Sequence, residues 1–248
     1  MSYNPFSLEG KTVLVTGASS GIGQTTAIEC SKMGAKVVIT GRNEERLLET
    51  FNKLEGNGHL QIIADLNEER DIERIATECP TLNGLVNNAG RGLSKPVNFI
   101  KSEDLQKVYQ TNLFGVVLLT KLLLKKKKIL RESSIVFISS ISSYMTATGL
   151  AIYASSKAAL CAYMRTCSIE LASKHIRCNA VLPGMVETKL INRGTYTDED
   201  KQNDVKLYPL GRYGQPIDVA HGIIYLLSDA SLWITGVELV IDGGRSLK

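Results

Sequence analysis

Tyr153 and Lys157 stand four residues apart in Tyr153-Ala154-Ser155-Ser156-Lys157. That spacing puts both side chains on one face of a helix. A free phenol has a pKa near ~10, too high for proton traffic at neutral pH. An ammonium group beside it favours the phenolate and lowers that value. The pair is therefore suited to exchanging a proton with a substrate oxygen. Tyrosine and lysine at this spacing occur on many helices, so the weight comes from what accompanies them.

Thr16-Gly17-Ala18-Ser19-Ser20-Gly21-Ile22-Gly23 follows one apolar run and opens a helical pattern. Glycines allow a tight turn and a close approach of backbone to a pyrophosphate. The helix N-terminus adds free N–H groups and a positive dipole. A glycine turn after the first strand and at the start of the first helix predicts a dinucleotide site. About twenty residues further, an NAD site would place an acid against the ribose 2′-hydroxyl. Here Gly41 takes that place and Arg42 follows it. Arginine grips a 2′-phosphate through two parallel hydrogen bonds, so NADP(H) is the expected cofactor and NAD(H) the second candidate.

These groups need a scaffold. Apolar runs at Thr12–Thr16, Lys36–Thr40, Leu60–Ala64, Gly84–Asn87, Ser134–Ser139, Arg177–Leu182 and Glu238–Ile241 alternate with helical patterns at about 21–33, 43–55, 68–78, 102–128, 151–173 and 216–228. Val- and Ile-rich strands alternating with helices predict a parallel sheet covered on both faces. The expectation is one doubly wound α/β Rossmann domain over residues 1–248, with about seven strands. The stretch 187–210 breaks the rhythm, being polar and loop-like after a strand. Such a segment at the ligand end of a sheet reads as a substrate lid.

The chain has 248 residues, 44% hydrophobic and 22% charged, which suits a globular protein with a sizeable core. A net charge of +4 demands neither nucleic acid nor membrane. Five cysteines, an odd number with no Cys-x-x-Cys pair, argue against a disulfide framework or zinc site and for the reducing cytoplasm. The start Met1-Ser2-Tyr3-Asn4-Pro5-Phe6 lacks the features of a signal peptide. The apolar stretch Leu113 to Leu124 is too short to span a bilayer. Lys125-Lys126-Lys127-Lys128 points all round a helix end and reads as solvated lysines against the helix dipole.

Taken together, the motifs resemble the short-chain dehydrogenase/reductase family from about Leu8 to Arg245. The glycine turn resembles its cofactor loop, with Gly17, Ser19, Ser20, Gly21, Ile22 and Gly23 facing the dinucleotide. Asp65-Leu66 resembles its adenine-binding pair, and Asn87-Asn88-Ala89-Gly90 the segment that supports sheet centre and cofactor. Pro183-Gly184-Met185-Val186-Glu187-Thr188 resembles the nicotinamide-binding stretch, and Thr235-Gly236 with Asp242-Gly243-Gly244 the C-terminal signature. Asn112, Ser140, Tyr153 and Lys157 match the catalytic tetrad.

The resemblance implies an NAD(P)-dependent oxidoreductase that interconverts a carbonyl and a secondary alcohol. Tyr153 would be the acid-base group, Ser140 would bond the carbonyl oxygen, Lys157 would depress the Tyr153 pKa and bond the ribose, and Asn112 would hold a relay water. It also implies a homo-oligomer, tetramer or dimer, built on the helices 102–128 and 151–173. The substrate class includes acyl thioesters, since 3-oxoacyl-(acyl carrier protein) reductases share these motifs and carry, near the active-site entrance, basic residues that meet the acidic carrier, where Arg131 and Lys174 stand here. Gly149-Leu150-Ala151-Ile152 departs from those reductases and fits a sugar, steroid or small-alcohol substrate equally well. A non-catalytic dinucleotide sensor or scaffold is the contrasting class, and the intact tetrad argues against it. Arg91 is unusual for the family, and reads as a surface arginine or one that meets a substrate anion.

Overall fold

The computed structural model describes residues 3–188 and 197–247. Seven strands form one sheet: β1 (Thr12–Thr16), β2 (Lys36–Gly41), β3 (Leu60–Ile63), β4 (Leu82–Asn87), β5 (Ile129–Ile138), β6 (Arg177–Pro183) and β7 (Glu238–Ile241). Their spatial order is β3-β2-β1-β4-β5-β6-β7, and every neighbouring pair is parallel. The chain builds outward from β1 to β3, then restarts at β4 on the other side of β1. The crevice beyond the carboxyl ends of β1 and β4 lies at this reversal, where open parallel sheets hold ligands.

Eight α-helices lie among the described residues: α1 (Gly21–Lys32), α2 (Glu44–Phe51), α3 (Glu69–Glu78), α4 (Ser102–Tyr109), α5 (Gly115–Lys125), α6 (Ala151–Glu170), α7 (Asp198–Val205) and α8 (Pro216–Leu227). On one sheet face Ala27 and Cys30 of α1, Leu47 of α2 and Val219 and Ile223 of α8 pack on Val13, Val15, Ile39 and Val86. On the other, Ile75 of α3, Leu119 and Leu123 of α5 and Leu160 and Met164 of α6 pack on Leu14, Leu85, Ile135 and Phe137. Val13 and Val15 face one way and Leu14 the other, the period of a strand buried on both sides. Each fully buried side chain of this size contributes about 1.5–3 kcal/mol, so both walls of the crevice rest on a rigid sheet.

The expected helix 102–128 is broken. Between α4 and α5 lies a five-residue π-helical turn, Gln110–Phe114. It carries Asn112 inward to full burial. Such turns interrupt the regular ladder and concentrate at functional sites.

Strand β5 begins at Ile129, earlier than expected. Ile129 pairs with Leu82, an irregularity follows between Leu82 and Gly84, and Glu132 is left-handed at φ 63°. The polar Arg131-Glu132-Ser133 at that kink hides the strand from a hydrophobicity reading. The lysine run closes α5 as a helix end. The Lys128 Nζ donates to the carbonyls of Thr77 and Cys79 at 3.2 and 2.6 Å, satisfying the C-terminal end of α3.

Of the expected lid at 187–210, residues 189–196 lie outside the described residues. The rest contains α7, whose first turn is closed by reciprocal bonds between Thr197 and Asp200. This helix is tied to the framework. Lys201 lies 3.5 Å from Glu187, the Tyr213 hydroxyl donates to Asp204 at 2.8 Å, and Met185 N donates to the Tyr208 hydroxyl at 3.1 Å. No helix among the described residues is long and apolar enough to cross a membrane.

Candidate active site

The glycine turn is shaped by what its residues cannot carry. Gly17 and Gly21 adopt φ 65° and 57°, conformations that L side chains rarely take. A Cβ on Gly23 would stand 2.3 Å from Asn88 Nδ2 and 2.4 Å from Gly17 O. The turn is bolted to the end of β4. Thr16 Oγ1 accepts from the N–H groups of Asn88 and Ala89, both at 3.0 Å, and Asn88 Nδ2 donates to Thr16 O at 2.9 Å. Ser20 sits at the N-cap of α1 without a side-chain capping bond, so the first N–H groups of α1 stay open to an anion. Thr188 Cγ2 lies 3.0 Å from the Cβ position of Gly21, and a cleft runs here lined by Ser19, Ser20, Gly21, Arg46, Glu187 and Thr188. The bare backbone, open helix start and tight glycine contacts fit the pyrophosphate of a dinucleotide.

The segment Pro183 to Thr188 is held in place by backbone bonds. Gly184 N donates to Ile241 O at 3.0 Å, and Glu187 N to Gly214 O at 2.8 Å. Val186 bridges to Gly214. At the end of β2, Arg42 and Asp65 meet at 3.5 Å with the Arg42 side chain 65% exposed. An exposed pair of this kind is worth at most about 1 kcal/mol, so the guanidinium is available to a phosphate. A Cβ on the buried Gly41 would make ordinary contacts with Ser19 at 3.4 Å and Leu47 at 3.5 Å. Leu66 is buried after β3.

Ser140, Tyr153, Lys157 and Asn112 converge at the carboxyl ends of β4 and β5. Asn112 is buried, and both polar atoms of its amide are bonded. Its Oδ1 accepts from Arg91 N at 2.8 Å, and its Nδ2 donates to Arg91 O and to Ser156 Oγ, both at 3.0 Å. Ser156 in turn donates to Tyr153 O at 2.7 Å, which links the π-turn to the helix that bears the tyrosine. The Lys157 Nζ donates to Ile138 O at 2.7 Å. Ser139 Oγ donates to Lys157 O at 3.0 Å and accepts from the Cys161 thiol at 3.2 Å. Lys157 is thus clasped at both ends by consecutive residues of β5 and its exit. A Cβ on Gly90 would lie 3.4 Å from Lys157 Nζ and 3.5 Å from Asn112 Oδ1. The two polar atoms face one space on the open side of Gly90, suited to a bridging water.

Burial, rather than the neighbouring ammonium, dominates the electrostatics of Tyr153. Burial pushes the phenol up, and the Ser140 hydroxyl only partly offsets it. The ammonium points at Ile138 O and lies 5.9 Å from the tyrosine ring centroid.

Burial also lowers Lys157 to about 8, because no carboxylate accompanies it into the interior. An unfolded lysine holds its proton to about 10.4. Between those values the unfolded chain binds the extra proton, so this group makes stability rise with pH. Compared with Lys157→Met, wild type should gain ~2–3 kcal/mol in unfolding free energy between pH ~7.5 and pH ~10. Denaturant titrations of both proteins at the two pH values check this. The difference cancels the opposing titration of Cys30 and Cys79, each raised by burial to about 12. A flat difference would mean that the ammonium is not desolvated.

Ser139, Ser156 and Cys161 escaped the sequence reading. Ser156 stands three residues after Tyr153, a spacing that could have suggested a bond to the Tyr153 carbonyl. Nothing in the sequence ties it to Asn112. Arg131 and Lys174, expected at the site entrance, stand at the other end of the sheet. Arg131 opens β5, whose far end leads to Ser140, and Lys174 precedes β6. At about 3.3 Å per residue the length of β5 separates Arg131 from Ser140 by roughly 20 Å or more. Within one protomer they do not flank the tetrad.

Comparison with known proteins gives a consistent picture. A family model described as Enoyl-(Acyl carrier protein) reductase matches residues 17–246. A 3-oxoacyl-(acyl carrier protein) reductase of Rickettsia felis is 36% identical over 237 residues, 96% of this chain and 97% of that protein. The solved structure of a putative short-chain alcohol dehydrogenase from Sinorhizobium meliloti superposes with a TM-score of 0.92 at 30% identity, covering 99% of this chain and 100% of that one. A putative NAD(P)-dependent gluconate 5-dehydrogenase from Beutenbergia cavernae, with NADP bound at low occupancy, superposes with a TM-score of 0.91 at 29% identity and the same coverage.

Proposed function

Because the chain belongs to the short-chain dehydrogenase/reductase family, NAD(P)-dependent oxidoreductases that interconvert carbonyls and alcohols, we propose that it is an NADP-preferring member whose tetrad is Asn112, Ser140, Tyr153 and Lys157. The observation that carries this reading is the convergence of those four side chains beside the glycine turn. The bound dinucleotide supplies or accepts the hydride. Tyr153 gives its proton to the carbonyl oxygen in reduction and takes it back in oxidation. Ser140 donates a hydrogen bond to the same oxygen. Lys157 bonds the ribose and, through a water beside Gly90, exchanges protons with the Asn112 side. The part of the excursion that begins at Glu187 and carries α7 borders the substrate.

Arg42 holds the 2′-phosphate, and Arg42→Asp should lower the NADPH-over-NADH preference by about tenfold or more, the worth of a charge-assisted hydrogen bond. Cofactor titrations by fluorescence check it, and an unchanged ratio would remove Arg42 from the cofactor site. The protein works in the cytoplasm, a reading supported by its five free, buried cysteines. It forms a homo-oligomer, with exposed Leu105, Phe114 and Ile169 on the central helices as support.

The substrate is a small-molecule carbonyl or an acyl thioester. NADPH consumption with an acetoacetyl thioester, absent in Tyr153→Phe, would support the oxoacyl reading. The second reading is a dehydrogenase of sugars, steroids or other small alcohols, and the departure Gly149-Leu150-Ala151-Ile152 before Tyr153 supports it. Turnover of such compounds with no thioester reduction would establish that reading instead.

A further inference from the structure

The loop that follows β4 carries two cations, Arg91 and Lys95, and among the described residues only Lys95 is neutralised. The loop that follows β4 is fixed at two points. At one end the amide of Asn112 holds both the N–H and the C=O of Arg91. At the other, Lys95 N donates to Gly149 O at 2.8 Å, and Ser94 Oγ lies 2.8 Å from the Cβ position of Gly149. Gly149 stands four residues before Tyr153. The short span from Arg91 to Lys95 is therefore strung between the π-turn and the approach to the tyrosine, alongside the reacting groups.

The Lys95 ammonium is paired with Asp104 at 2.5 Å. Arg91 is half-buried, and its guanidinium has no ion pair or hydrogen bond among the described residues, the contacts of Arg91 being those of its backbone. A partly buried cation without a partner is unfavourable. The planar guanidinium matches carboxylate and phosphate groups better than any other side chain does.

We propose that Arg91 reads a carboxylate or phosphate carried by the substrate a few bonds from its reacting carbonyl. This rests on the reading of Tyr153 and its neighbours given above. The dinucleotide carries phosphates of its own, so the test must separate the two sources.

Tyr153→Phe loaded with NADP+ is titrated calorimetrically with three matched pairs: acetoacetate and its methyl ester, levulinate and its methyl ester, dihydroxyacetone phosphate and dihydroxyacetone. At least one anion should bind about tenfold or more tighter than its neutral counterpart. Adding Arg91→Met should erase that difference and leave NADP+ and the neutral compounds within about twofold. Arg91→Lys should retain part of it. The proposal is overturned if no anion is preferred, if the preference survives Arg91→Met, or if the loss falls on NADP+ alone. Failure of the underlying reading shows itself separately, as wild-type turnover in the single variant Tyr153→Phe.

Discussion

Replacing Tyr153 by Phe is expected to lower turnover by about 10²–10⁴-fold, the contribution of a positioned acid-base group, with NADPH binding retained. The substitution removes one oxygen and keeps the ring, so the packing of α6 and the clasp on Lys157 survive. What disappears is the proton delivered to the carbonyl oxygen, together with the group on which the Ser140 hydroxyl acts. Ser140 can still bond the substrate oxygen, which is why some rate should remain. Single-turnover kinetics at saturating NADPH, beside a fluorescence titration of NADPH, separates the chemical step from binding. A variant with the wild-type rate would take Tyr153 out of the mechanism.

Gly23→Ala should have the second largest effect, on cofactor affinity and stability together. The new Cβ would meet the Gly17 carbonyl at 2.4 Å and Asn88 Nδ2 at 2.3 Å. The carbonyl belongs to the backbone of the turn, so relief requires moving the loop itself. Asn88 is no freer, since its amide also bonds Thr16 O and Gly17 O at 2.9 and 3.2 Å. Overpacking of this kind costs about 1–3 kcal/mol, or several degrees in melting temperature for a chain of this length. Because the displaced loop is the one that would face the pyrophosphate, NADPH affinity should fall about tenfold or more. A melting scan with and without NADPH reads both losses. An unchanged melting temperature with undiminished NADPH stabilisation would show that the turn has room the geometry denies.

The parts of the site legible in the sequence are those made within a few residues. Val13-Leu14-Val15 and Val37-Val38-Ile39 announce strands buried on both faces, and both form as expected. The glycine turn was legible because the missing side chains are themselves the signal. Tyr153 and Lys157 share a helix face, as four-residue spacing requires. Spacing does not say where a flexible ammonium points, and Ile138 O, from a strand, captures it. The bond from Asn112 to Ser156 spans 44 residues of sequence and exists only because the π-turn brings its residue inward. Helix α7 was missed for a different reason: Asp198-Glu199-Asp200-Lys201 shows no apolar stripe, and its only signature is the cap formed by Thr197 and Asp200. Arg131 and Lys174 could be matched by position to the carrier-binding residues of similar reductases, but only the strand direction shows which end of the sheet they occupy.

The π-turn at Gln110–Phe114 makes the length of this stretch more constrained than its spelling. A π-helical turn holds one residue more than an α-helical turn, so losing one residue here would restore a regular ladder while α4 and α5 keep nearly the faces they already present. Val116, Leu119 and Leu123 would still cover the sheet, and the change would fall on Asn112, which the wider turn carries to the backbone of Arg91. Substitutions at Gln110, Thr111 or Phe114 leave the turn its length. Within this segment an inherited single-residue deletion thus strikes the site while sparing the core, an outcome that an exchange of letters at those three positions need not share.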